Sequence, residues 1–228
     1  MGGGLSMLRT AAVILWKDLR IEMRTRDAIG AAFVFSLLTM VIFNFALDAN
    51  TPEMRRLAAG FFWVAFAFSG TLALNRSFAL EKESGAGRAL IFAPVDPAGV
   101  YLGKFFANAL FLFITQVIVL PAFIVFFDAT VVASRWWALA ASFILGSVAF
   151  ASVGTLFSAV AANTRMRELM LPLLFLPVTV PALIGAVETT AFALGGTVSA
   201  AFWFKLLVVY DVVFVTVSLL IFEFALEE

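Results

Sequence analysis

The 228-residue chain is 63% hydrophobic and only 13% charged, which excludes a water-soluble globular domain, where about 25% of residues are charged. Its fifteen basic and fifteen acidic residues give a net charge of zero, so the overall balance predicts no binding to nucleic acid. Because the chain has no cysteine and no histidine, it excludes disulfides, thiolate chemistry, Ser-His triads and haem ligation by histidine.

The N-terminal segment from Leu5 to Arg26 predicts an amphipathic helix that lies in the plane of the membrane interface. Its apolar residues recur at three- and four-residue spacing between charged ones: Leu8, Ala12, Leu15, Trp16, Leu19 and Met23. Two roles remain open, an anchor alone or a helix that also braces a cytoplasmic partner. The uncharged run before Lys17 is too short for a signal peptide, so we expect the N-terminus to be retained.

Six long uncharged stretches predict six transmembrane helices, since about 20 residues are needed to cross the hydrocarbon core. The predicted spans are 28–47, 57–75, 105–127, 136–162, 169–187 and 206–222. The connections between them are too short to tether a second globular domain. We therefore predict an all-α integral membrane protein with one membrane domain over residues 1–228.

Basic residues set the orientation, because connecting segments rich in Lys and Arg stay in the cytoplasm. Eleven lie before the first span or after spans two and four: Arg9, Lys17, Arg20, Arg24, Arg26, Arg76, Lys82, Arg88, Lys104, Arg165 and Arg167. Four lie on the opposite side: Arg55, Arg56, Arg135 and Lys205. This distribution predicts a multi-pass membrane protein with both termini in the cytoplasm.

The second cytoplasmic loop, residues 76–104, has a specific pattern of charged, glycine and proline residues. The pattern predicts a helix that continues from span two to Glu83, a reversal at Gly85 and Gly87, and a short apolar element from Arg88 to Phe92. Pro94 and Pro97 end that element. Since five residues cannot hold a helix alone in water, we expect a cytoplasmic partner to cover it.

A phosphate-binding loop is excluded at the end of this segment. Gly99, Gly103 and Lys104 look similar to one, but three residues rather than four separate the glycines, and Phe105 stands where Ser or Thr is required. We therefore do not expect this chain to bind ATP in that way.

Span five contains three prolines, Pro172, Pro177 and Pro181, which predict a broken or bent helix that faces protein rather than lipid. The bend would be either a flexing element or a fixed kink. Between spans five and six, residues 188–204 are too apolar for an ordinary loop and predict a re-entrant or interfacial pair of short helices.

Several polar residues lie inside the predicted spans. Asn108 and Gln116 are expected to hydrogen-bond between helices, as are Asn44 and Asn75. Asp211 in span six is costly in a membrane unless it is paired, so a structural partner, such as Arg135 or an amide, is favoured over substrate handling. Small residues at four-residue spacing in span four permit close helix approach within the protomer or across a dimer: Ser147, Ala151, Thr155 and Ala159.

Four sequence blocks, taken in order, resemble a known family. They are LWKDLRIEMRTRD (15–27), ALEKESG with LIFAPVDPAGVYLGK (79–85 and 90–104), LPLLFLPVTVPALIGA (171–186) and YDVVFVTVSLLIFEFALEE (210–228). The loop resembles the coupling loop of type-2 ABC exporter permeases, and the four blocks together resemble the haem exporter protein B (CcmB) family of cytochrome c maturation.

The resemblance implies a homodimer of permeases driven by two copies of a separate ATP-binding subunit, CcmA, together with CcmC, CcmD and the haem chaperone CcmE. It implies contacts with the ATPase from Glu81, Glu83, Ser84, Gly85, Arg88, Leu90, Phe92 and Pro94. ATP and Mg would bind to that partner, no metal or cofactor to this chain, and the chain would not be an enzyme.

Three functions stay open at this point. The first is a permease that translocates haem or another maturation substrate. The second is a mechanical subunit that releases the haem-loaded chaperone without passing haem. The third is a lipid or drug exporter of the same fold. The sequence offers only Met and Tyr as plausible iron ligands, so we do not expect this chain to ligate haem iron.

Overall fold

The structure is a computed structural model that describes residues 3–25, 27–46, 52–83, 96–127, 135–162, 167–197 and 199–227. Near several helix ends only the backbone is described. The described residues form seven helices: α1 (Gly3–Thr25), α2 (Asp27–Ala46), α3 (Pro52–Glu83), α4 (Pro97–Phe127), α5 (Trp136–Ala162), α6 (Arg167–Ala193) and α7 (Ala200–Glu227).

Six of these helices, α2 to α7, are long and apolar enough to cross a bilayer. Each lies at one of the six predicted spans, and all described regular structure is helical, so the predicted all-α membrane fold is confirmed. Helices α3, α4, α6 and α7 extend past charges that bounded the predicted spans. Backbone hydrogen bonding within a helix continues into the interface, where charged side chains are solvated.

Helix α5 lies at the centre of the bundle and contacts α3, α4, α6 and α7. The predicted row of small residues on this helix is buried throughout within the single chain: Ser147, Ala151, Thr155 and Ala159. Small side chains let neighbouring helices approach closely, which is the main source of helix association where lipid removes the hydrophobic driving force.

An aromatic core fills the space around α5. Phe62 of α3 stacks on Phe143 with ring centroids 4.9 Å apart, and Phe150 meets Phe175 of α6 edge to face at 4.5 Å. The indole of Trp63 enters a notch left by Gly146 and donates to the hydroxyl of Thr190 at 2.9 Å. The interior of the described bundle is therefore packed rather than open.

Helix α6 runs without a break from Arg167 to Ala193, so of the two predicted alternatives, a broken or a bent helix, only the bent helix remains. Pro177 and Pro181 lie on the side of α6 that is exposed in the single chain, and the prediction that this helix faces protein stays a prediction. Hydrogen bonds reinforce the backbone beside the prolines: the Thr179 hydroxyl donates to the carbonyls of Phe175 and Leu176, and the Tyr210 hydroxyl donates to the Val178 carbonyl. A bend at Pro172, Pro177 and Pro181 stays a prediction.

The predicted pair of short helices over residues 188–204 is wrong. The first part of that segment continues α6 to Ala193, and the last part begins α7 at Ala200. Two residues after the end of α6, Gly195 has a φ of 93°, and the N–H of Gly196 donates to the carbonyl of Ala191 at 2.9 Å. Glycine adopts this left-handed conformation without strain. The conformation turns the following N–H groups back onto the last carbonyls of α6.

Candidate functional site

The segment predicted to couple to an ATPase lies between α3 and α4. Helix α3 ends at Glu83, as predicted, so its last nine residues extend about 13 Å beyond the apolar stretch that ends at Leu74. Glu81 and Glu83 therefore lie on a helical extension. The other predicted contact residues fall outside the described residues: Ser84, Gly85, Arg88, Leu90, Phe92 and Pro94.

Helix α4 begins directly after this segment with a defined N-terminal cap. A carboxylate oxygen of Asp96 accepts from the backbone N–H of Ala98 at 3.0 Å, and its carbonyl accepts from Val100. Pro97 occupies the first helical position, where its missing N–H costs nothing. The end of the predicted coupling segment is thus fixed to a rigid helix.

Helix α1 packs against the first turns of α4, which the sequence reasoning missed. A Cβ atom at Gly99 would lie 2.8 Å from the carbonyl oxygen of Met7, and one at Gly103 would lie 2.7 Å from the Cβ of Ile14. The two glycines, four residues apart, therefore let the two helix backbones touch. The four-residue spacing of Gly99 and Gly103, which does not match a phosphate-binding loop, is the sequence pattern that could have predicted this close approach.

A buried ion pair joins the same two helices. The ammonium group of Lys104, whose side chain is only 1% exposed, lies 3.3 Å from a carboxylate oxygen of Asp18, and Asp18 also pairs with Lys17 at 3.1 Å. From the sequence, we predicted that Lys104 is one of the basic residues of the second cytoplasmic loop. In the structure it lies inside the protein, on the helix rather than in the loop.

The face of α1 that packs on α4 differs from the predicted apolar stripe. Ala11 and Ile14 are buried, whereas Leu8 and Trp16 from the predicted stripe are exposed. Arg9 is also exposed, on the same side as Trp16. The helix therefore has one face for α4 and another that remains free for lipid headgroups or a partner.

A carboxylate from α1 also organises the start of α2. Glu22 accepts a hydrogen bond from the backbone N–H of Ile29 at 3.2 Å, in the first turn of α2. An acidic group at a helix N-terminus satisfies a free donor and opposes the positive end of the helix dipole. Helix α1 is thus connected to both the first span and the end of the predicted coupling segment.

Inside the bundle, two of the predicted interhelical amides find partners. Asn108 donates to the Thr155 hydroxyl at 2.9 Å, and Asn44 donates to the Phe126 carbonyl. The Gln116 side chain is 1% exposed and neither of its polar atoms has a partner among the described residues. The side chain of Asn75 lies outside the described ones.

Asp211 is buried on α7, and neither of its carboxylate oxygens has a hydrogen-bond partner in the described part of the chain. The suggested pairing with Arg135 is wrong. Arg135 instead donates to the carbonyls of Phe192 and Gly196, and its guanidinium lies 4.3 Å from the centroid of the Phe192 ring. Arg135 therefore closes the end of α6 rather than neutralising Asp211.

These contacts form a rigid joint between α1 and α4 at one end of the bundle. Among the described residues, no three Asp or Glu side chains cluster in a way that could hold a metal ion. What is assembled instead is a rigid joint: α1 docked on glycines, a buried ion pair, and a capped α4 that begins where the predicted coupling segment ends.

Comparison with known proteins places this chain among membrane transport components. The family model described as CcmB protein matches residues 9–228. The chain is 30% identical to heme exporter protein B of Rhodobacter capsulatus and 32% identical to that of Paracoccus denitrificans, in each case over 77% of this chain and 79% of the relative. Heme exporter protein B of Haemophilus influenzae is 26% identical over 76% of this chain and 77% of its own length.

Proposed function

We propose that this chain, which belongs to the CcmB protein family, is the membrane permease subunit of an ABC transporter that handles haem during c-type cytochrome biogenesis. The observation that carries the proposal is the match to this family across residues 9–228 of a chain whose described helices provide six candidate spans. ATP hydrolysis is assigned to a separate ATP-binding subunit, and this chain is not an enzyme.

The ATP-binding subunit would dock at the segment after α3. The helical extension to Glu83 projects beyond the apolar stretch, and the Asp96 cap with the α1 joint fixes where the segment ends. A push on residues 84–95 would therefore move α4 and α1 together, because the Gly99 and Gly103 contacts leave no compressible gap between them.

The proposed assembly is a homodimer in a bacterial inner membrane, with both termini in the cytoplasm and with partners that resemble CcmC, CcmD and CcmE. The packed aromatic core supports placing any haem path outside a single protomer. The side chains of Phe62, Phe143, Phe150 and Phe175 occupy the centre of the described bundle, where a haem path through one protomer would run. A path would have to run between two protomers or along their outer surface.

The same packed core supports a second function, in which the subunit releases the haem-loaded chaperone mechanically and haem does not pass through it. Reconstitution with the ATP-binding subunit in vesicles separates the two functions. ATP-dependent haem flux without the chaperone supports translocation, and release of haem-loaded chaperone without flux supports the mechanical role. Absence of both activities in an assembled, ATP-hydrolysing complex would contradict the proposal.

Orientation can be tested with single cysteines, because the chain contains none of its own. A Glu81→Cys variant should react with a membrane-impermeant thiol reagent only in inverted vesicles. A Lys205→Cys variant, on an exposed residue at the opposite end of the bundle, is the matched control and should react only in right-side-out vesicles. The reverse pattern would place the coupling segment outside and remove the proposed docking of an ATPase.

A further inference from the structure

A small, partly open cavity lined by both polar and apolar side chains lies between α2, α3 and α4 within the membrane-spanning region. Its volume is about 10 Å³. Its lining is Ser36, Phe62, Phe66, Ser69, Thr115, Gln116 and Val119, all of them buried. Gln116 stands eleven residues before the end of α4 at Phe127, about 16 Å along the helix, so the cavity is far from either aqueous surface.

Some hydrogen-bonding groups around this cavity have partners among the described residues, and others do not. Both polar atoms of the Gln116 carboxamide are buried without a partner in the described residues. The hydroxyl hydrogens of Ser69 and Thr115 are already donated to the carbonyls of Phe66 and Phe111, at 3.1 Å and 3.0 Å. Their oxygens therefore remain available only as acceptors.

We propose that this cavity binds one water molecule, held by Gln116 and shared between α2, α3 and α4. Water fits both the size and the chemistry. The volume matches the roughly 10–15 Å³ that a single water needs, and the site offers the two to four polar partners that an internal water requires. The water accepts from the Gln116 amide of α4 and from the Ser36 hydroxyl of α2, and it donates to the oxygens of Ser69 or Thr115.

The bound water has a structural consequence for α2. This helix is the least buried of the six candidate spans within the described chain. Ser36 places a polar group of α2 in the cavity wall, opposite Gln116 of α4 and Ser69 of α3. The water thus adds a polar link between α2 and helices α3 and α4. Side chains of α2 otherwise contact these helices mainly through apolar groups such as Met40.

X-ray radiolytic labelling of the full chain in lipid nanodiscs tests the proposal, because a bound water is a local source of hydroxyl radicals. Phe62 and Phe66 line the cavity, whereas Phe175 and Phe222 are also buried but lie away from it. We expect oxidation of the two cavity phenylalanines to exceed that of the two control phenylalanines by about tenfold, since fully buried apolar sites stay dry.

A Gln116→Met variant, similar in length but apolar, should reduce this labelling to the level of the control phenylalanines. Ser147→Ala is the matched control, because it removes a buried hydroxyl that has no hydrogen-bond partner among the described residues and does not line the cavity, and it should leave the labelling unchanged. Equal labelling of all four phenylalanines in the wild-type chain would overturn the proposal whether or not the variant folds. Labelling that persists in Gln116→Met would overturn it as well.

Discussion

The ion pair between Asp18 and Lys104 predicts an asymmetry between two single substitutions. Asp18→Asn leaves the 1% exposed ammonium of Lys104 without its carboxylate, and removing one partner of a buried pair costs about 3–5 kcal/mol. Because Lys104 makes a further contact, we expect about 3 kcal/mol. Lys104→Met leaves Asp18 beside Lys17 at 3.1 Å and 15% exposed, so its cost should be about 1 kcal/mol.

Hydrogen exchange of the α1 amides in the full chain measures how easily α1 opens from α4. Since about 1.4 kcal/mol is a factor of ten, Asp18→Asn should speed exchange roughly 100-fold and Lys104→Met about fivefold. The double variant should behave like Lys104→Met alone, and the amides of central helix α5 should not change. Arg20→Gln, on an exposed residue of α1, is the matched control. An effect of Lys104→Met as large as that of Asp18→Asn would refute the reasoning.

Three further substitutions, the first with a matched control, test other parts of the structure. Gly103→Val puts a side chain 2.7 Å from the Ile14 Cβ and should speed hydrogen exchange of the α1 amides at least about tenfold. Its control is Gly30→Ala, which meets no atom within 4 Å and should change the free energy of unfolding by less than about 1 kcal/mol. Gly146→Ala places its Cβ 2.1 Å from the Trp63 ring and should cost about 1–3 kcal/mol in unfolding free energy, measured by thermal melting in detergent. Asp211→Leu should reduce the yield of assembled complex without lowering the melting temperature of the purified chain. The reason is that the carboxylate has no partner in the described bundle. A lower melting temperature would show a partner inside the chain.

Helix number and approximate position were predictable from the sequence. The length of an uncharged run and the need to satisfy every backbone group in lipid both act locally along the chain. The same local reasoning correctly extended the second span to Glu83, where acidic residues precede Gly85. The resemblance to the family, carried by four ordered blocks, was also available from the sequence and agrees with the match over residues 9–228.

The candidate site was predicted only in part. The prolines of α6 predicted a broken or bent helix, and the helix is unbroken from Arg167 to Ala193. The hydrogen bonds from Thr179 and Tyr210 to carbonyls beside the prolines lie one turn away and on another helix, so the local proline pattern did not reveal them. The contacts predicted for residues 84–94 remain a prediction.

Which face of each helix meets protein was decided only by the tertiary structure. Lipid tails and a protein interior are equally apolar, so the hydrophobic period of α1 did not reveal that Ile14 packs on Gly103 while Trp16 stays exposed. The positions of Lys104 beside Asp18 and of Gln116 at a partly polar cavity likewise depend on residues far apart in the chain. Segment length and polarity determine where a chain crosses the membrane, and the relative placement of the helices determines which polar groups find partners there.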